Sequence, residues 1–96
     1  MSSERNDPDA ADLAIGQHVR LLRVARGWSL RDASARARAL GIRGLSARII
    51  CDLENGKVSW STSYAARVGD MLGVPTSVVY AGALDRMAPR VDREAA

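Results

Sequence analysis

Phenylalanine is missing from this sequence, and its 96 residues include only two tryptophans and two tyrosines. Any hydrophobic core must therefore be aliphatic, built from Leu, Ile, Val and many Ala, and alanine is the strongest helix former. Cysteine is equally scarce, because Cys51 stands alone and excludes an internal disulfide and most metal frameworks. His18 is the only histidine, and we expect it on the surface of the first helix. No Ser/His/Asp order, phosphate-binding loop or metal cluster is present, so we expect no enzyme, no metal and no cofactor.

Long hydrophobic runs are also missing. No stretch approaches the length of a membrane span, and the polar, acidic start does not form a signal peptide. Nearly half of the residues are hydrophobic, which excludes a disordered chain, and the length allows one domain at most. We therefore expect a soluble cytoplasmic protein with a single domain, residues 12–88, between a flexible acidic tail, residues 1–11, and a frayed tail, residues 89–96.

The net charge of +3 conceals an uneven distribution. Residues 1–12 carry −3, whereas residues 13–87 hold eleven Arg or Lys against five Asp or Glu, a net charge of +6. A basic middle of this kind is typical of proteins with a polyanionic partner. An ordinary solvated helical surface would carry the same excess, so charge alone leaves both interpretations open.

Apolar residues recur at helical spacing in five segments with typical start and stop residues. The first segment has Ile15, Val19 and Leu22 in register, between Asp12 as N-cap and Gly27 as its end. The N-caps expected for the later helices are Ser29, Ser46, one of Ser61, Thr62 and Ser63, and Thr76. No strand candidate and no repeat remains. The sequence thus predicts an all-α protein, a compact bundle of about five short helices.

The second and third helices have apolar faces of different kinds. The stripe predicted for the second helix is half alanine, which lets a neighbour approach closely: Leu30, Ala33, Ala37 and Leu40. The third helix is expected to bury Ile49, Ile50 and Leu53, with Leu45 stapled against Ile50. Its remaining face has few apolar side chains and carries Ala47, Arg48, Cys51 and Asp52.

Three segments in this order resemble the lambda-repressor-like family of helix-turn-helix proteins, also called the Cro or XRE family. They read IGQHVRLLRVARGWSL, GLSARIICDLENGK and AARVGDMLGVP. The most specific pieces are Val19-Arg20 with Arg23, Gly27-x-Ser29, Leu53-Glu54-Asn55-Gly56-Lys57, and Met71-Leu72-Gly73-Val74. The resemblance covers residues 15–80 and implies a helix-turn-helix domain that binds double-stranded DNA.

The resemblance implies that the third helix enters the DNA major groove, which is wide enough for one helix. Its sparse face would then read the bases. Arg48 is the first candidate, because a guanidinium can bond to N7 and O6 of guanine together. Asp52 would accept from cytosine N4 or repel phosphates in a wrong register. Ala47 suits a thymine methyl group, and Cys51 is either a similar apolar contact or an inert, half-buried thiol.

Contacts to the DNA backbone are expected from helix starts and from the loops beside the third helix. The candidates are Ser29, Arg31, Arg43, Ser46, Lys57, Ser59, Ser61 and Thr62. Trp60 either lies against the sugar-phosphate backbone or fills a gap in the core. The resemblance also implies a partly buried ion pair between Arg23 and Glu54, which would lock the third helix to the first.

Two features depart from the family pattern. Leu30 stands where members usually have a glutamine that touches phosphate. The second and third N-caps are 17 positions apart, because an insertion near residues 39–44 lengthens the turn between the two helices. The insertion brings Arg36, Arg38 and Arg43 close to the turn, where they either clamp the DNA backbone or keep an extended helix soluble.

The expected function is a sequence-specific transcriptional regulator, a repressor of phage or prophage Cro type that binds a palindromic operator as a homodimer. The fifth helix offers the expected dimer face, formed by Val78, Val79 and Leu84. The alternative is an antitoxin that represses its own operon and holds a toxin through the acidic segment 4–12. The protein partner could also be an antirepressor. A further possibility is a protein-binding module that no longer binds DNA.

Overall fold

The computed structural model describes residues 10–87, and side-chain surroundings as far as Ala81. These residues form five helices and no strand: α1 (Ala10–Ala25), α2 (Leu30–Ala39), α3 (Ala47–Glu54), α4 (Thr62–Leu72) and α5 (Thr76–Met87). The prediction of an all-α bundle is therefore confirmed. The two predicted tails lie outside the described residues, apart from Ala10 and Ala11, which are helical.

Three of the five helices begin at serine caps, as predicted. The hydroxyls of Ser29, Ser46 and Ser61 each accept a hydrogen bond from the amide three residues later, at 3.0–3.1 Å. At Ser29 the capping box is complete, because its amide donates to the Asp32 carboxylate at 2.9 Å. The hydrogen bonds from the Ser29 amide and hydroxyl keep the pKa of Asp32 below its ordinary value. The contribution of the carboxylate to this cap is therefore present at neutral pH and is lost as the pH falls through that lowered pKa.

The caps predicted for the first and fifth helices are wrong. Helix α1 already includes Ala10, so Asp12 lies inside its first turn, where its carboxylate accepts a hydrogen bond from the Trp60 amide at 2.9 Å. Helix α5 includes Thr76, and the Pro75 carbonyl accepts an amide hydrogen bond from the first turn at 2.9 Å. In both cases the helix starts earlier than the side-chain pattern indicates.

The core is aliphatic except for one aromatic ring. Its largest fully buried side chains are Val19, Ile50, Leu53, Val68, Met71 and Val79. Trp60 is only 6% exposed, and its indole nitrogen donates to the Leu53 carbonyl at 3.0 Å. The structure therefore supports the second interpretation of Trp60, in which it fills a gap in the core. The ring lies between the loop after α3 and the rear of α3.

The dimer face predicted on α5 needs correction. Helix α5 packs against both α1 and α4, so part of its apolar face is covered within the chain. Val79 is completely buried, with its methyl group beside Gly69 of α4. Val78 is half-buried, and the Leu84 side chain lies outside the described residues. Val79 is therefore a core residue rather than part of an exposed interface.

Two other residues occupy surroundings that differ from expectation. Leu40 was expected on the buried stripe of α2, but α2 ends at Ala39 and leaves Leu40 at the C-cap, 50% exposed. His18 was expected on the surface but is half-buried, and its Nε2 has no hydrogen-bond partner among residues 10–81. The helical period predicts on which face of a helix a side chain lies. Its exposure also depends on where the helix ends and on which elements pack against that face.

Gly16 marks the closest approach of α1 to α3. A β-carbon at this position would collide with the Leu53 carbonyl oxygen and would lie 2.5 Å from that of Glu54. Both obstacles are backbone atoms, which cannot rotate away. A glycine inside a helix lowers helix stability by about 1 kcal/mol relative to alanine, so its value here lies in letting the end of α3 rest directly on α1.

We predict that Gly16→Ala destabilises the fold by about 1–3 kcal/mol, because the new methyl group forces α1 and α3 apart. Urea unfolding followed by circular dichroism measures the change. The matched control is Val24→Ala on the exposed side of the same helix, which should alter stability by about 0.5 kcal/mol or less. Equal losses in the two variants would contradict the role given to Gly16.

Candidate nucleic-acid interface

Helix α3 has a buried rear and an outward face. Ile50 and Leu53 are each 1% exposed at the rear. On the opposite side the Arg48 side chain is 87% exposed, while Ala47 and Cys51 are half-buried. The helix is short, so its rigidity comes from the packing of its rear rather than from its own hydrogen bonds.

Arg48 and Asp52 form an ion pair along the outward face of α3. Their closest atoms, Nε and Oδ2, are 3.7 Å apart, and the Asp52 side chain is 23% exposed. An exposed pair of this kind adds little stability. Its chemical consequence is that α3 presents a hydrogen-bond donor group and an acceptor group side by side. The free Cys51 thiol lies 3.4 Å from the Asn55 side-chain nitrogen at the end of the same helix.

Arg23 and Glu54 form the buried ion pair that the family resemblance implies. The guanidinium is bidentate, with Nε at 2.7 Å from Oε2 and Nη2 at 3.0 Å from Oε1. Arg23 also donates from Nη1 to the Trp28 carbonyl at 2.7 Å. The hydrogen bond to Glu54 raises the pKa of Arg23 above its ordinary value. One side chain of α1 thus holds the last residue of α3 and the approach to α2.

The lengthened turn between α2 and α3 is tied down at several points. The Ile42 amide donates to the Ala37 carbonyl at 2.8 Å, and Leu45 is buried in the core. From α4, Arg67 donates through Nη1 to the Arg43 carbonyl at 2.9 Å. Gly44 has a φ of +78°, which suits glycine, and a β-carbon there would also strike Arg67. The inserted residues therefore form an ordered turn.

The arginines near this turn have different environments. Arg36 donates to the Met71 carbonyl at the end of α4, at 2.9 Å, and its guanidinium lies 5.2 Å from the Trp28 ring centre. Arg26 binds the Leu72 carbonyl at 3.0 Å and lies 5.8 Å from the same ring. Arg36 is therefore engaged by the carboxyl end of α4, and only the other arginines near the turn remain available to a ligand.

The structure divides the candidate backbone-binding residues into two groups, and all of them are exposed. Arg31, Arg43 and Ser46 border the groove between α2 and the start of α3. A second set follows the end of α3: Lys57, Ser59, Ser61 and Thr62. Ser29 stands apart at the start of α2. The two sets thus adjoin opposite ends of α3.

Two residues that position the site were missed from the sequence. Gly16 carried a signal, because a glycine in the middle of a helix costs stability unless something needs the space. Arg67 carried none, since its contact with Arg43 spans 24 positions and nothing in the local sequence indicates it.

Comparison with known proteins gives one structural relative. No family model and no curated protein matches the sequence. The crystal structure of the clp gene regulator ClgR from C. glutamicum is 26% identical, with a TM-score of 0.68 over 83% of this chain and 96% of that chain. The chain has a gene regulator's fold. Within it, α2 and α3 form the helix-turn-helix unit, with a longer connecting turn than the family pattern has.

Among residues 10–87, every helix is too short or too polar to serve as a membrane span. The same residues contain no group of three or more His, Cys, Asp or Glu side chains that could hold a metal ion.

We predict that Glu54→Gln destabilises the protein by about 3–5 kcal/mol, because it leaves the buried Arg23 guanidinium without its counter-charge. Thermal or urea unfolding measures the loss. The matched control is Asp70→Asn, which neutralises an exposed carboxylate on α4 and should be close to neutral. If both variants unfold at the same denaturant concentration, the ion pair does not hold α3 to α1.

Proposed function

We propose that the protein is a sequence-specific DNA-binding transcriptional regulator, a repressor of Cro type that places α3 in the major groove of a palindromic operator. The observation that carries this proposal is the two-sided construction of α3, with Ile50 and Leu53 fully buried and the Arg48 side chain 87% exposed. A helix held from behind in this way suits the major groove, which admits one α-helix. The likeness to a gene regulator supports the same conclusion.

Base recognition is assigned to the outward face of α3. Arg48 would exchange its 3.7 Å contact with Asp52 for N7 and O6 of a guanine. Asp52 would then be free to accept a hydrogen bond from a cytosine N4 amino group nearby. Because the two side chains neighbour each other on one face, we expect them to read adjacent base pairs. Ala47 and Cys51 would supply apolar contacts beside them.

Orientation on the duplex is assigned to the exposed residues at both ends of α3. Hydroxyls and cations in these positions bind phosphates, which fixes the register without reading sequence. Two copies of the chain would occupy half-sites about one helical turn apart and block access of polymerase. The antitoxin alternative depends on the acidic segment 4–12, of which only residues 10–12 are described. Asp12 is engaged within the fold by the Trp60 amide, so no described contact favours this alternative.

We expect the protein to select a preferred duplex from a random pool and to bind it with strong salt dependence. The logarithm of the binding constant should fall linearly with the logarithm of salt concentration, by about 0.9 for each phosphate neutralised. Fluorescence anisotropy with the selected duplex measures this, and a scrambled duplex is the control. A flat salt response would favour a protein-binding module over a DNA-binding regulator.

We further predict that Arg48→Ala relaxes the preference at one base pair, which should cost about 1–3 kcal/mol of discrimination. The matched control is Lys57→Ala in the loop after α3. It should weaken all duplexes alike and lower the salt slope by about 1. Titration against the single-base variants of the selected duplex measures both effects. An unchanged preference in Arg48→Ala would show that the readout residue has been assigned wrongly.

A further inference from the structure

Two adjoining cavities lie between α2 and the start of α3, and we call them together the turn groove. Their volumes are about 400 and 330 Å³. Ser34, Arg38 and Ser46 line both, Arg31 lines the second, and Arg43 lines the first. The turn groove is therefore built partly from the inserted residues, which the family pattern lacks.

The charge of the turn groove is of one sign. Arg31, Arg38 and Arg43 border it, and no acidic residue lines either cavity. Among the described residues, ion pairs engage Arg23 and Arg48 but none of these three arginines. Each cavity is thus bordered by two guanidinium groups, which repel one another unless an anion lies between them.

The neutral groups in the turn groove can also donate hydrogen bonds. Ser46 accepts the Ile49 amide with its hydroxyl oxygen, which leaves its O–H free to donate. The first amides of α3 begin there as well, without partners inside the helix. In the major groove each base pair presents a donor together with acceptors, whereas a phosphate presents acceptors alone. A set made only of donors and positive charges thus suits phosphate better than a base.

The environment of Ser34 is a second indication of a ligand and does not depend on the charges. It is only 6% exposed, it lines both cavities, and no hydrogen bond of its hydroxyl occurs within residues 10–81. Among the described side chains only His18 Nε2 is a fully enclosed polar atom without a partner, so the Ser34 hydroxyl is open to the cavities, where a bound group can accept its hydrogen bond. The partner that the turn groove can accommodate is an anionic oxygen.

We propose that the turn groove binds a phosphate of the DNA backbone, held by Arg38 and Arg43 and by the hydroxyls of Ser34 and Ser46. The inference rests on the proposed function and adds to it a contact made by the inserted turn. Arg67 is a positioning residue, because its hydrogen bond to the Arg43 carbonyl at 2.9 Å fixes the turn on which Arg43 is carried. The contact adds affinity and register but no base preference.

The test uses the full chain and its selected duplex, in which single phosphates are replaced one at a time by neutral methylphosphonates. Wild type should lose about tenfold in affinity at each contacted position, since a charge-assisted hydrogen bond is lost there. In the double variant Arg38→Ala/Arg43→Ala, methylphosphonate substitution at one of those positions should no longer change the affinity. The salt slope of the double variant should fall by about 0.9 per phosphate lost, with unchanged base preference.

Ser34→Ala should weaken binding at the same phosphate position, which links the buried hydroxyl to the same contact. Arg20→Ala is the matched control, because Arg20 is an exposed arginine of α1 that lines neither cavity. It should leave the salt slope and the methylphosphonate profile as in wild type. Circular dichroism should give wild-type helicity for all variants, since the substituted arginines are exposed and Ser34→Ala removes only an oxygen atom that has no partner within residues 10–81.

The outcomes separate this inference from the proposed function. If the double variant keeps the wild-type salt slope and methylphosphonate profile, the turn groove binds no phosphate, while the regulator proposal stands. If the double variant binds more weakly but methylphosphonate substitution still changes its affinity at every one of those positions, the arginines act elsewhere and the inference is likewise wrong. If wild type shows no salt-dependent binding to any duplex, both proposals fail together.

Discussion

The orientation of α3 depends on its attachment to α1. Two contacts at the end of α3 secure it: the backbone rests on Gly16, and the Glu54 carboxylate is held bidentately by Arg23. The first contact sets the distance between the helices, because backbone atoms cannot move aside. The second contact sets the direction of α3 relative to α1, because a planar guanidinium donates two parallel hydrogen bonds to a carboxylate in one preferred geometry. A short helix has little rigidity of its own, so whatever its outer face does requires this attachment.

The rest of the molecule supports the same helix from other sides. Trp60 fills the space behind α3 and its indole donates to the Leu53 carbonyl, while Leu45 and Ile50 are buried near the start of the helix. The serine cap at Ser46 satisfies the amide that would otherwise be left open near the cavity. The core therefore holds α3 along its length, and the outward face can remain sparse without loss of stability.

The inserted turn between α2 and α3 is also held in place by contacts with other parts of the chain. Extra residues between two helices usually loosen their arrangement, because a longer loop has more conformations to lose on folding. Here the hydrogen bond from Arg67 and the burial of Leu45 both hold the turn in place. The insertion can then add a charged groove beside α3 instead of weakening the unit. Of the arginines that it brings close, Arg36 is used by the protein itself, at the end of α4.

The sequence alone determined the features that depend on near neighbours. Three serine caps and the two faces of α3 follow from side chains within a few positions of one another, and the family resemblance supplied the Arg23–Glu54 pair. Tertiary structure alone decided the burial of Val79, the place of Trp60 and the contact of Arg67 with the turn. Each of these depends on which helix packs where, and periodicity within one segment carries no information about its partner.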